Sequence, residues 1–112
     1  MIEEKNNTPR ISIVIPSMRH LSDCLRPCCE SIIAHTDLSN VEVIVVLNGC
    51  GNDGSQQYIA SLIGKGYPFR VVWCDEPEGY THSTNLGIAE AKHTNPTHII
   101  FLNNDTVILG AD

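Results

Sequence analysis

The sequence predicts an α/β fold: a mostly parallel sheet with helices on both faces, a three-layer sandwich with the element order β-α-β-α-β-α-β. Aliphatic runs alternate with segments of helical periodicity, and the connections between them are short. Residues 41–47 are almost entirely aliphatic, which is typical of a central parallel strand covered on both faces. The chain has 112 residues, of which 42% are hydrophobic, and this suffices for one domain with a modest core.

The chain begins with a predicted strand and helix. Residues 11–15 are mostly β-branched and end at Pro16, which indicates strand one. Residues 22–35 carry apolar side chains at helical spacing, and Ser22 is the expected N-cap of this first helix. Pro27 either kinks the helix or marks its true first turn.

A second strand and helix follow. The strand covers residues 41–47, and residues 48–54 form a glycine-rich loop. Ser55 is expected to cap the second helix, which Gly64 and Gly66 end.

The last third of the chain predicts a strand, a helix and a further strand. Residues 69–74 form strand three, and Thr81 or Ser83 opens helix three. The apolar run within residues 97–102 is interpreted as a buried strand, and residues 106–109 could start another. Short connections in this order predict right-handed crossovers, which place helices on both faces of the sheet.

The composition excludes several classes of protein. The net charge of −6 argues against a non-specific nucleic-acid binder, because such a protein needs basic surface. No apolar run is long enough to span a bilayer. Residues 1–10 are interpreted as a polar N-terminal tail and not as a signal peptide, so we expect a cytoplasmic protein, one setting being the inner face of the membrane. The five cysteines are then expected to be reduced thiols.

Three polar residues, Asn103, Asn104 and Asp105, directly follow the last long apolar run. Ligands of open α/β sheets bind at the carboxyl ends of the strands. A carboxylate beside two amide oxygens suits a hard cation such as Mg²⁺ or Mn²⁺, which commonly bridges phosphates. The alternative is structural: Asp105 caps a turn, and the two amides satisfy local backbone groups.

Three further loops follow strand ends, after Ile15, Leu47 and Cys74. In a doubly wound sheet they emerge along the same edge as the segment after Leu102, so all four can converge on one nucleotide. For any single loop the structural interpretation is favoured, since polar loops follow strands in every α/β protein. The loop after Cys74 runs into a helix N-terminus, where backbone N–H groups favour phosphate and Gly79 allows close approach.

Taken together, four segments resemble the family 2 glycosyltransferases of the GT-A fold. Residues 11–17 are similar to the family's opening strand, and residues 43–49 followed by 52–55 to its second strand and loop. Residues 78–89 are similar to its donor-contacting helix start, and residues 101–106 to its metal motif. The resemblance implies a Rossmann-like, truncated GT-A domain, with residues 11–112 as its nucleotide-sugar-binding half. It also implies a nucleoside-diphosphate-sugar donor, a Mg²⁺ or Mn²⁺ cofactor and a glycan-type acceptor, in polysaccharide biosynthesis.

The resemblance assigns Asp105 to the metal and a larger set of residues to the donor nucleotide. The donor set is Pro16, Ser17, Arg19, Asn48, Asp53, Gly79, His82, Thr84, Asn85, Asn103 and Asn104. Two positions depart from the family pattern: Asn103 stands where an aspartate is frequent, and Leu47 stands where an aspartate usually follows the strand. Because an amide is a weaker ligand than a carboxylate, we expect metal affinity to depend on the donor phosphates.

Some of these assignments have a structural alternative. Asp53 either contacts the base and ribose or caps the second helix. Arg19 either reaches a phosphate or is solvated. His82 either binds phosphate or is an exposed helix residue.

The acceptor side of the family's chemistry has no match in the sequence. Inverting transfer needs a base that deprotonates the acceptor hydroxyl, and no residue here matches the family's base carboxylate. We therefore expect donor binding with little or no transfer, by a fragment or by a shortened protein. The sheet edge beside Leu102 is expected to be exposed, and a homodimer or a partner chain could cover it.

Two rival functions follow. One is a non-catalytic nucleotide-binding module that works through a partner chain. The other is a different Rossmann-like enzyme, of which a dehydrogenase is disfavoured because no Gly-x-Gly-x-x-Gly follows strand one.

Overall fold

The computed structural model of the chain describes residues 9–17, 24–48, 54–74, 80–103 and 106–108. Its strands and helices follow the predicted order. They are β1 (Ile11–Ser17), α1 (Arg26–His35), β2 (Val41–Asn48), α2 (Ser55–Gly64), β3 (Phe69–Cys74), α3 (Tyr80–Ala91) and β4 (His98–Phe101), with short 3₁₀ turns at Leu38–Asn40 and Lys92–Thr94. The prediction of an α/β fold is confirmed.

The four strands form one parallel sheet in the order β3-β2-β1-β4. Ser17 at the end of β1 lies opposite Leu47 of β2, and Val14 lies opposite Phe101 of β4. The chain therefore moves outward from β1 to β3 and then returns to the other side of β1. This reversal between β1 and β4 is the topological switch point at which open α/β sheets bind ligands.

Two helical layers cover the sheet. Side chains alternate along each strand, so Ile13 and Ile15 of β1 pack with α1 and α2, whereas Val14 packs in the cluster that contains Ala91 of α3. Both central strands are buried on both sides, as the aliphatic run of β2 predicts.

Gly87 sets the distance between α3 and the sheet. A Cβ atom built at Gly87 would lie 2.3 Å from Cγ1 of Val14 and 3.3 Å from Cγ2 of Val46. Only a residue without a side chain lets α3 lie this close to β1 and β2.

The structure places several helix ends differently from the sequence predictions. Helix α1 begins at Arg26 with Pro27 in its first turn, so the kink alternative is wrong; Ser22 lies outside the described residues. Helix α2 has Gly54, at φ 92°, as its N-cap. The prediction that Ser55 caps α2 is therefore wrong, because Ser55 is the first helical residue and is buried.

The other helix ends agree more closely. Helix α2 ends at Gly64, and Gly66 follows with φ 95°. The N–H of Tyr67 donates to the carbonyl of Leu62 at 3.2 Å, which is the Schellman arrangement that a glycine in the left-handed region permits. Helix α3 begins at Tyr80, one residue before the earlier of the two predicted starts.

Strand β4 is the least buried strand. Ile100 and Phe101 are 42% and 40% exposed, so the prediction of a buried strand is wrong. The reason is position: β4 pairs with β1 only, at the end of the four-stranded sheet. Residues 106–108 form no strand, which corrects that prediction as far as the described residues extend.

Two features outside the sheet complete the description. One of them concerns the helices: within the described part of the chain, no helix is long and apolar enough to cross a bilayer. The other concerns two cysteines of α1. The thiols of Cys28 and Cys29 in α1 are completely buried. Burial raises the pKa of the Cys29 thiol well above its ordinary value, which keeps it protonated at neutral pH.

Candidate functional site

The candidate site lies at the carboxyl edge of the sheet. Ser17 ends β1, Asn48 ends β2, and Asn103 lies two residues beyond β4. Because all the strands are parallel, these residues share one edge, and α3 starts at the same edge because it follows β3. The direction of α3 is fixed at its far end, where Thr94 reaches Glu42 near the start of β2.

The described side chains at this edge differ in burial. Ser17 is 2% exposed, and Pro16 is half-buried. A ligand at the end of β1 would therefore contact backbone groups more readily than these two side chains. Asn85 and Asn103 are exposed. The carboxyl edge therefore combines a buried strand end with two exposed amides.

Thr84 is the polar residue of α3 with an unusual environment. It precedes Gly87 by three positions, so the two share the helix face that lies on the sheet. Its Oγ1 atom is buried and has no hydrogen-bond partner among the described residues. A buried hydroxyl of this kind is costly unless something pairs with it, and Thr84 is the residue near the start of α3 for which the structure shows this state.

The remaining predicted site residues lie wholly or partly outside the description. Five of them fall outside the described residues: Arg19, Asp53, Gly79, Asn104 and Asp105. Asn48 and His82 are placed only by their backbone, as the last residue of β2 and the third of α3. Their roles, including the metal role of Asp105, stay predictions.

The backbone on either side of Asn104 and Asp105 is tied to the core. The N–H of Leu102 donates to the carbonyl of Val14 at 3.0 Å, and the N–H of Thr106 donates to the carbonyl of Asn103 at 3.0 Å. The N–H of Ile108 then donates to Oγ of Ser31 on α1 at 2.8 Å. The sequence analysis did not identify Ser31. The feature that could have indicated it is a serine among the apolar residues that α1 buries.

The amino edge of the sheet carries a second polar cluster. Arg70 of β3 pairs with Glu42 of β2 at 2.9 Å and with Glu90 of α3 at 2.8 Å. The other carboxylate oxygen of Glu42 accepts from the hydroxyls of Ser12 and Thr94, both at 2.6 Å. Sequence analysis did not foresee this network, because its members are far apart in the chain.

A cavity of about 220 Å³ opens beside this network. It is lined by Arg10, Ser39, Glu42 and Thr94, among others. The hydrogen bonds of Glu42 and Thr94 are already made within the protein. These two polar side chains of the cavity are therefore already used within the protein and are less available to a ligand.

A metal site is not assembled from the described residues alone. Within them, no group of three or more His, Cys, Asp or Glu side chains could hold an ion. Asn103 lies at the predicted motif, and its exposed amide fits a weak contributory ligand.

Comparison with solved structures identifies the class of proteins that share this fold. The mannosyltransferase PcManGT from Pyrobaculum calidifontis, solved with GDP-Man and Mn²⁺, superposes with a TM-score of 0.74 at 16% identity, over 91% of this chain and 29% of that one. GalNAc-T7, solved with UDP, GalNAc and Mn²⁺, gives a TM-score of 0.74 at 18% identity, over 89% of this chain and 19% of that one. The fold is that of the GT-A, Rossmann-like glycosyltransferases.

The family follows from sequence. The model of glycosyl transferase family 2 matches residues 12–110, and the chain belongs to this family. The protein y4gI of Sinorhizobium fredii, described as uncharacterized, is 33% identical over 100 residues, which are 89% of this chain and 10% of that protein. The chain thus spans a tenth of that relative and less than a third of each of the two solved chains. The resemblance inferred from the four sequence segments is confirmed.

Proposed function

We propose that the chain binds a nucleoside-diphosphate sugar together with Mg²⁺ or Mn²⁺, as the donor-binding part of a glycosyltransferase that acts on a glycan-type acceptor. The observation that carries this proposal is the carboxyl edge at the β1/β4 switch point, where β1 ends at Ser17, β4 leads into Asn103 and α3 begins. The GDP-Man, UDP and Mn²⁺ in the names of the two similar structures support it.

The proposed donor contacts divide by loop. The end of β1, with Pro16, Ser17 and Arg19, would contact the nucleoside, as would Asn48 and Asp53 after β2. The start of α3 would receive the diphosphate, because backbone N–H groups and the helix dipole favour negative charge there.

The start of α3 also carries four of the proposed donor residues. Gly79 would let backbone approach the diphosphate closely, and His82, Thr84 and Asn85 would add side-chain contacts. The unpartnered hydroxyl of Thr84 would gain a hydrogen bond that the protein itself does not supply among the described residues.

The metal would be held by Asp105, with Asn103 and Asn104 as neutral neighbours. A divalent ion across the diphosphate supplies neutralisation of the charge that develops as the sugar departs. Because only one of the three motif residues is a carboxylate, we expect the ion and the nucleotide to bind jointly. Transfer to an acceptor needs a base that we do not assign to this chain, so we expect donor binding and little transfer from these residues alone.

Calorimetric titration tests the proposal directly. The chain is titrated with UDP, GDP and dTDP, each with and without Mn²⁺. At least one nucleotide should bind, and more tightly with the ion. Absence of binding to all three nucleotides would leave only the fold and the family.

The Asp105→Ala variant tests the proposed ligand. Its matched control is Asp37→Ala, which removes a carboxylate at the opposite edge of the sheet. The carboxylate of Asp37 accepts hydrogen bonds from the N–H and hydroxyl of Ser39, which hold its pKa below the ordinary value. Asp105→Ala should abolish the Mn²⁺ enhancement, and Asp37→Ala should retain it; an unchanged enhancement in Asp105→Ala would overturn the metal role.

A non-catalytic nucleotide-binding module that works with a second chain is the other candidate. The observation that favours it is the exposure of apolar side chains along and after the edge strand β4, where Ile100, Phe101 and Val107 are 42%, 40% and 51% exposed. A homodimer or a partner chain could cover this surface. Sedimentation as a monomer over a broad concentration range would count against the homodimer.

A further inference from the structure

The segment that follows the predicted metal motif is anchored to helix α1 by one side chain. The N–H of Ile108 donates to Oγ of Ser31 at 2.8 Å, across 77 positions of the sequence. Ser31 is 7% exposed, and its hydroxyl donates in turn to the carbonyl of Cys28 at 2.8 Å. The hydroxyl proton is therefore used within the helix, and a lone pair is left to accept from Ile108.

This anchor is one of two that bracket the motif. Before it, the N–H of Leu102 donates to the carbonyl of Val14 on β1. Between the anchors, the N–H of Thr106 donates to the carbonyl of Asn103 at 3.0 Å. This bond joins the two described residues that flank the last two residues of the motif in sequence, so Leu102 before the motif is fixed to the sheet and Ile108 after it is fixed to α1.

Packing reinforces the anchor at α1. Leu102 and Ile108 are both partly buried against the same apolar cluster, the one on the α1 and α2 side of the sheet. Apolar contact holds the segment on this side without fixing its position along the helix, since such contact is not directional. The hydrogen bond to Ser31 is directional, so it fixes the position of the segment along α1.

We infer that Ser31 is a positioning residue for the metal-dependent part of nucleotide binding. It acts through the backbone at Ile108, and by fixing the described residues 106–108 to α1 it positions the segment that carries the proposed metal ligand for joint binding of the ion and the diphosphate. The inference rests on the proposed function, and it adds to the site a residue of α1 that is remote in sequence from all four donor loops.

The chain offers a matched control in the neighbouring helix. Oγ of Ser61 on α2 donates to the carbonyl of Tyr58 at 2.6 Å, the same three-residue bond that Ser31 makes on α1. Removing either hydroxyl costs a helix the same kind of local bond. Of the two changes, Ser31→Ala is the one that also frees the N–H of Ile108.

The test compares Ser31→Ala with Ser61→Ala by titration with the nucleoside diphosphate that binds the wild type best, with and without Mn²⁺. In Ser31→Ala, affinity with Mn²⁺ should fall about tenfold, the low end for groups that orient metal ligands. Its affinity without Mn²⁺ should stay within about twofold, because Ser31 is proposed to position only the segment that carries the metal ligand. Ser61→Ala should bind like the wild type, and Ser31→Thr, which keeps the hydroxyl, should restore part of the loss.

Hydrogen exchange at the Ile108 amide keeps the inference falsifiable if Ser31→Thr packs poorly. Ser31→Ala should lose protection at this amide, and Ser61→Ala should keep it. Equal Mn²⁺ enhancement in Ser31→Ala and the wild type would overturn the positioning role while leaving the proposed function intact. A wild type that binds no nucleotide would overturn both.

Discussion

The two edges of the sheet hold polar residues in different states. At the amino edge, Glu42 accepts from Arg70, Ser12 and Thr94, so its carboxylate is bonded on both oxygens. At the carboxyl edge, Thr84 holds a buried hydroxyl that none of the described residues pairs with. At the first edge the carboxylate of Glu42 is satisfied within the protein, and the polar atom without a described partner there is Nε of Arg70, a side chain whose other two nitrogens are bonded.

The difference teaches how to separate structural from functional polar groups in this fold. A polar group that serves stability has its partners within the protein, and its removal lowers the free energy of unfolding. A polar group that serves a ligand is unsatisfied until the ligand arrives, so its removal lowers affinity with little loss of stability. Changes at the two edges should therefore have opposite signatures.

Arg70→Met should have a large effect that is confined to stability. It leaves the carboxylates of Glu42 and Glu90 without their cation while keeping most of the apolar stem of the side chain. Because the arginine is about a third exposed, we expect a loss of about 2 kcal/mol, below the cost of breaking a fully buried pair. Chemical denaturation measures the loss, and nucleotide affinity should be unchanged; a tenfold weaker affinity would break the distinction between the edges.

Gly87→Ala should affect both edges, since α3 runs from one to the other. The new Cβ overlaps Val14, and relief of that overlap moves the helix away from the sheet. Overpacking of this size costs about 1–3 kcal/mol, and the start of α3 should move with the helix and weaken nucleotide binding.

A helix glycine with free space provides the control for Gly87→Ala. Nothing lies within 4 Å of a Cβ built at Gly64, the last residue of α2. Gly64→Ala should be neutral or stabilise by up to about 1 kcal/mol, because alanine loses less backbone entropy than glycine on folding. Equal losses in the two variants would contradict the close approach of α3.

Thr94→Val should have a smaller effect, confined to stability. The hydroxyl of Thr94 donates to Glu42 at 2.6 Å, and valine has nearly the same shape without that bond. We expect a loss of about 1 kcal/mol in the free energy of unfolding. Thermal or chemical denaturation checks the value, and a loss of nucleotide affinity would be the unexpected result.

Thr84→Val should have the smallest effect on stability and a distinct effect on binding. The same exchange here removes a buried hydroxyl that has no described partner, so stability should be unchanged or slightly higher. Nucleotide affinity should fall about fivefold, the equivalent of one hydrogen bond of about 1 kcal/mol. Thr84→Val and Thr94→Val make the same chemical change at the two edges, so together they compare a hydroxyl proposed to serve the ligand with one that serves stability. Destabilisation by Thr84→Val without loss of affinity would show that the Thr84 hydroxyl is structural.

The sequence predicted the α/β fold and the element order, because hydrophobic periodicity is a local property, and the placement of the site at the carboxyl edge stays a prediction. It did not predict the Ser31–Ile108 bond or the network of Glu42 and Arg70, because these join residues that are distant in the chain. Gly87 was overlooked for a related reason: its importance depends on Val14 across the packed interface. The burial of β4 was wrongly predicted from its apolar run, whereas the expectation of an exposed edge beside Leu102 agrees with its place at the end of the four-stranded sheet.

The most direct test of the central claim is amide chemical-shift mapping of the chain with a nucleoside diphosphate and Mg²⁺, which avoids paramagnetic broadening. The account predicts shifts at the carboxyl edge, at Ser17, Asn48, Thr84 and Asn103, with little change at Ser12 and Glu42. Shifts concentrated around the amino-edge cavity beside Glu42 would contradict it, because that result would place the nucleotide at the opposite end of the sheet.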